Sequence, residues 1–190
     1  MPGAGLALAL ALLGGAALAG CGTVSSLNPF SSSSPEAKAP PPAASCPTAV
    51  ILRPLAQTAV FAPGAARNPM GVAFYGLLSE VEAKCESAGG AVRVALDVIM
   101  VGERGPAAGK GDGVDLQYFV AVTGAGQAIL NKRSFAVHIA IPADAKRAGV
   151  TDHIEETIPL AGQAAGDLNI VLGFQQSPEI VDFYRHFRGH

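Results

Sequence analysis

A chain of 190 residues with a formal net charge of −2 and only 15% charged residues carries no basic footprint for a nucleic-acid partner. Its mean hydropathy of +0.35 is inflated by an apolar N-terminus, so it does not argue for a membrane-embedded domain. Three cysteines and no tryptophan leave cysteine usage as the guide to compartment.

The chain opens MPGAGLALALALLGGAALAGCG. Leu6 to Leu13 are all Ala or Leu, and small apolar residues continue to Gly20. That is the length of a signal-peptide hydrophobic region, and it is shorter than the roughly 18–20 residues of a spanning helix. It ends in Leu18-Ala19-Gly20-Cys21, which resembles the lipobox of bacterial lipoproteins. The resemblance implies cleavage after residue 20 and a lipid, palmitate included, on Cys21. No Lys or Arg precedes the apolar run. Gly22 stands where an Asp would retain such a protein in the inner membrane, which favours the outer membrane. Several acyl chains on one Cys anchor firmly, at about 0.8 kcal/mol per buried CH₂.

Residues 21–45 follow as a tether rich in Ser, Pro and Ala. A segment this poor in large apolar groups cannot offset its ordering entropy. Its proline-rich half favours an extended path of about 3.1 Å per residue. Residues 46–190 then suit one domain with its own core. With Cys21 assigned to lipid, Cys46 and Cys85 form an even pair in an oxidising compartment, and we expect a disulfide between them. Two free thiols or a metal pair are the alternatives, but no CxxC motif and no His at ligand spacing supports a metal.

Within the domain, AVILR and TAVF are short apolar runs broken by Pro54 and Pro63, the pattern of an edge strand. Residues 72–86 fit two periods: Phe74, Leu77, Leu78, Val81 and Cys85 share a helical face, yet residues 77–86 also alternate. Turn-rich flanks favour a strand. In residues 91–103, Val92, Val94, Leu96, Val98 and Met100 face one way and Arg93 and Asp97 the other, which is a half-buried strand. A Gly-rich loop follows. LQYFVAVT and QAILNKRSFAVHIAIP are strands joined at Gly124-Ala125-Gly126. HIEETIPL places Ile154, Ile158 and Leu160 together, with His153 opening that strand. DLNIVLGF does the same for Leu168, Ile170, Leu172 and Phe174.

The C-terminus changes period. Ser177-Pro178-Glu179 is a helix start, with a cap, a proline in the first turn and an early acid. Ile180, Phe183, Tyr184 and Phe187 recur at helical spacing over about 178–188. This stripe either docks on a partner or a membrane surface, with Arg185 and Arg188 helping, or closes one end of the domain, and closure is favoured because a small sandwich gains from added burial. Roughly seven short strands and one helix predict a mainly β fold, an immunoglobulin-like antiparallel sandwich with a short C-terminal helix.

Cys46-Pro47, FAPG (61–64), GERGPAA (102–108), YFVAVT (118–123), IPL (158–160) and IVLGFQQSPE (170–179) together resemble an uncharacterised family of bacterial lipoproteins. The resemblance implies an envelope location and a β-rich fold, and it brings no catalytic residues.

The tempting motifs fail on chemistry. GPAAGKGDG lacks the phosphate-loop pattern: Arg104 stands at the first required Gly, and Gly111 follows Lys110 where a hydroxyl must hold Mg²⁺. Asp112 and Asp115 are too few for the six to eight oxygens of Ca²⁺. His138 faces out of its strand, and no nucleophile elbow or zinc-protease motif is present. Glu80 with Glu82, and Glu155 with Glu156, read as solvated strand faces rather than glycosidase pairs. The sequence therefore predicts a lipid-anchored, periplasm-facing module with no cofactor, no nucleotide and no catalytic residues, binding the membrane through Cys21 and an envelope protein through its domain. The rivals are a hydrolase with a spatially assembled Ser/His/carboxylate site and a small-molecule-binding lipoprotein.

Overall fold

The computed structural model describes residues 45–187, Asp112 excepted. The lipobox with Cys21, and the tether up to residue 44, lie outside the described residues. Eight strands form two four-stranded sheets, followed by one helix. β1 is Thr48–Ile51, β2 Gln57–Phe61, β3 Val72–Ala88 and β4 Ala91–Arg104. β5 is Gly113–Thr123, β6 Ile129–Ala140, β7 Arg147–Pro159 and β8 Asn169–Phe174, and α1 is Pro178–His186. One sheet runs β1-β8-β5-β6 and the other β2-β3-β4-β7. The fold is a mainly β sandwich with one short C-terminal helix.

Alternation builds the core. Val92, Val94, Leu96, Val98 and Met100 of β4 are buried, and they meet Val114, Leu116, Tyr118, Val120 and Val122 of β5. The central pairs interlock: β4 lies antiparallel to β7 in one sheet, and β5 antiparallel to β8 in the other. Immunoglobulin sandwiches pair their B–E and C–F strands in the same chain order. β1 takes the outer place beside β8 and runs parallel to it. The two runs expected as one edge strand thus become two edges, one per sheet, with Pro54 in a 3₁₀ turn (Arg53–Leu55) between them.

β3 carries the segment with two competing periods, and it is a strand. A bulge between Leu78 and Glu80 explains the ambiguity. Before it Gly76 and Leu78 point inward; after it the phase changes and Val81 and Cys85 pack on the core. β3 turns into β4 through Gly89 and Gly90, whose φ values of 61° and 79° suit a two-residue hairpin turn. Gly76 and Gly102 are cross-strand partners that let the second sheet approach closely. A Cβ on Gly76 would stand 2.7 Å from Leu116 Cδ1.

Three expectations need correction. β7 begins at Arg147, so His153 lies inside the strand, held by pairing with Asp97 of β4. Glu156 is not on a solvated face: it is buried and receives the Arg133 guanidinium at 2.7 Å. The helix ends at His186, and its cap at Phe187 bonds back to the Phe183 carbonyl. The Cys46–Cys85 disulfide is present, with Cα atoms 5.8 Å apart, and fastens the chain two residues ahead of β1 to β3 of the opposite sheet.

Candidate functional site

Ser177 caps α1 by accepting the Ile180 amide, and Pro178 occupies the first turn. The amphipathic stripe then lays Ile180 and Phe183 onto the outer face of β2 and β3, against Ala59 and Val72. Phe183 meets Phe61 edge-on at 5.2 Å and Phe187 at 5.2 Å. Arg67 stacks over Phe61 and binds the Glu179 carboxylate at 3.0 Å, tying the helix start to the loop before β3. Gln176 donates to the Gln57 carbonyl at 2.6 Å. Of the four residues of the stripe offered as a possible partner-binding set, Ile180 and Phe183 are therefore buried on the protein's own sheet. Tyr184 is half-buried, and Phe187 retains 36% exposure.

The helix covers only the β2–β3 side of this outer face. Beside it lies an open groove of about 1110 Å³, bounded by α1, the turn at residues 53–55 and the sheet surface. Its floor is set by register. Leu77 lies opposite Val101, and Tyr75 opposite Glu103, which on its other side lies opposite Arg147 of β7. Leu77 is 38% exposed, an apolar side chain on the face away from the core. Burial, and secondarily the charge of Glu103, raises the Tyr75 phenol. Burial, and then Tyr75, raises Tyr184. Both stay neutral donors through the ordinary pH range.

The rim is basic. Arg53, Arg147 and Arg185 are exposed, and none is in an ion pair among the described residues. The single carboxylate lining the groove, Glu103, is already held by Lys146 at 3.1 Å.

The histidines do not assemble a site. His138 pairs with Asp115 at 2.8 Å on β5–β6, and His153 with Asp97 at 2.6 Å on β4–β7. They belong to different sheets, both are exposed, and neither lines the groove. No hydroxyl hydrogen-bonds either ring among the described residues. No cluster of three or more His, Cys, Asp or Glu is placed to hold a metal there, and no helix among them is long and apolar enough to cross a membrane.

The Gly-rich loop has a structural organiser. Arg104 donates to the carbonyls of Gly109, Gly111 and Ile141, so the residue that breaks the phosphate-loop pattern holds the loop in place. Sequence reasoning named Arg185 beside the helical stripe but missed Tyr75, Leu77, Val101, Arg53 and Arg147. Two apolar residues on the outward side of their strands were the available signal. Comparison with protein-family models, curated proteins and solved structures finds no match to this chain.

Proposed function

We propose that this protein is a lipid-anchored envelope lipoprotein whose domain is a non-catalytic binding module. The lipobox-like Leu18-Ala19-Gly20-Cys21 and the following Ser/Pro/Ala-rich segment support anchoring, with the outer membrane favoured by Gly22. The observation that carries the binding role is the groove beside α1: apolar floor, neutral phenols and a basic rim on a rigid scaffold. Its volume also favours a second reading, a small-molecule site, since such sites exceed about 300 Å³ and are lined by apolar and aromatic groups.

Two measurements test the proposal. Radiolabelled palmitate should attach to the wild-type protein and not to Cys21→Ala, and only the former should sediment with membranes. A photo-crosslinker replacing Leu77 should give one discrete adduct in intact cells, while the same probe at Arg93, on the same sheet face away from the groove, gives none. A wild-type product that stays cytosolic and unlabelled overturns the envelope assignment. Equal crosslinking from both positions overturns the groove as the binding site.

A further inference from the structure

We propose that the groove beside α1 takes an acidic segment of another polypeptide, its apolar side chains lying on Leu77 and Val101 and its carboxylates meeting Arg53, Arg147 and Arg185. This rests on the binding-module reading and names the chemistry of its partner.

Charge complementarity argues for it. Three exposed arginines without ion pairs among the described residues face one glutamate, and Lys146 answers that glutamate. Guanidinium groups bind carboxylates bidentately and stack on aromatic rings, so they suit a polar rim around an aromatic floor.

The spread of the charges decides the kind of anion. Arg53 precedes β2 at one edge of the sheet, and Arg147 opens β7 at the other. Three inter-strand spacings separate those edges, about 14 Å in all. Arg185 stands on the helix wall. Cations set at both edges of the sheet and on the helix wall suit a peptide that carries several carboxylates along its length better than one phosphate or carboxylate head. The groove's lining runs from residues 53–55 across β3 and β4 to Arg147, a length that suits a continuous chain.

The test uses the full-length lipidated protein in nanodiscs of neutral phosphatidylcholine, so that detergent does not compete for the groove. The probe is an eight-residue peptide of alternating Glu and Leu with a neutral coumarin label, read by fluorescence anisotropy. Saturable binding is expected, weakened about tenfold by Arg147→Glu or by Arg185→Glu and further by added salt. Leu77→Asp should weaken it comparably, and a Lys-Leu peptide should not bind. All three positions are exposed, so unchanged melting temperatures will show that the variants fold. Absence of saturable binding, or equal affinity in the charge-reversed variants, overturns the proposal. So does dodecyl phosphate binding with the same arginine dependence while the peptide does not, since the occupant is then a lipid. Palmitate labelling of the same preparation reports separately on anchoring, so a failed anchor and a failed groove give different results.

Discussion

Tyr118 and Asp152 sit on opposite sheets, and the Tyr118 hydroxyl donates to Asp152 Oδ2 at 2.7 Å across the space between β5 and β7. The phenol is fully buried and the carboxylate half-exposed. Phe135 stacks on the Tyr118 ring, and Arg133 lies over Phe135 while holding Glu156 of β7. This side of the sandwich is therefore closed by polar bonds as well as by apolar contact.

The asymmetry of burial predicts an asymmetry of cost. Asp152→Ala strands a buried hydroxyl and should destabilise the fold by about 2–3 kcal/mol. Tyr118→Phe leaves a carboxylate that water can reach and should cost only about 1 kcal/mol. Urea midpoints of the two variants check the order. The reverse order would show that the carboxylate, and not the phenol, depends on the bond.

All three tyrosines should titrate late. Tyr118 is raised far above its ordinary 10.0 by burial first, then by the hydrogen bond to and the charge of Asp152. Tyr75 and Tyr184 are raised chiefly by burial. A phenol whose folded pKa exceeds its unfolded value binds its proton more tightly when folded. That contribution is fully present below about pH 10 and is lost as pH climbs beyond it. Absorbance at 295 nm should show little phenolate in the native protein at a pH where the urea-unfolded chain is ionised. Tyr118→Phe should flatten the fall of stability with alkaline pH.

Removing the disulfide should be costly. The bond closes a separation of 39 residues. In the chain-entropy model that is worth roughly 3–4 kcal/mol. Paired Cys46→Ser and Cys85→Ser substitutions, or reduction of the wild type, should lower the urea midpoint to the same degree.

Gly76→Ala and Gly149→Ala should differ sharply. A methyl at Gly76 meets Leu116 at 2.7 Å and Thr58 at 2.9 Å in the packed interior, costing about 1–3 kcal/mol. At Gly149 the nearest atom is the Met100 carbonyl at 3.4 Å, so the change should stay within about 0.5 kcal/mol. Thermal melts of the two variants compare them directly.

Much of the fold was legible because alternation is a local property. Val92 to Met100 and Leu168 to Phe174 showed their buried faces without any knowledge of their neighbours, and Ser177-Pro178 announced the helix. Glu156 was misread because the arginine that neutralises it comes from another sheet. The parallel pairing of β1 with β8 joins residues at opposite ends of the domain and leaves no local mark. The groove was illegible for the same reason. Leu77, Val101 and Arg147 become neighbours only through strand register, and α1 shapes the wall only by burying Ile180 and Phe183 elsewhere.

The Cys46–Cys85 bond also settles how the domain bears load. β1 is a four-residue edge strand, and a pull on the chain ahead of it would otherwise peel it off one hydrogen bond at a time. With Cys46 covalently joined to β3, traction bypasses that weak edge and enters a 17-residue strand that is paired with β4 along the stretch carrying Cys85. Tension then has to break the long β3–β4 ladder, and the domain resists being unravelled from its N-terminal side for as long as the sulfurs remain oxidised.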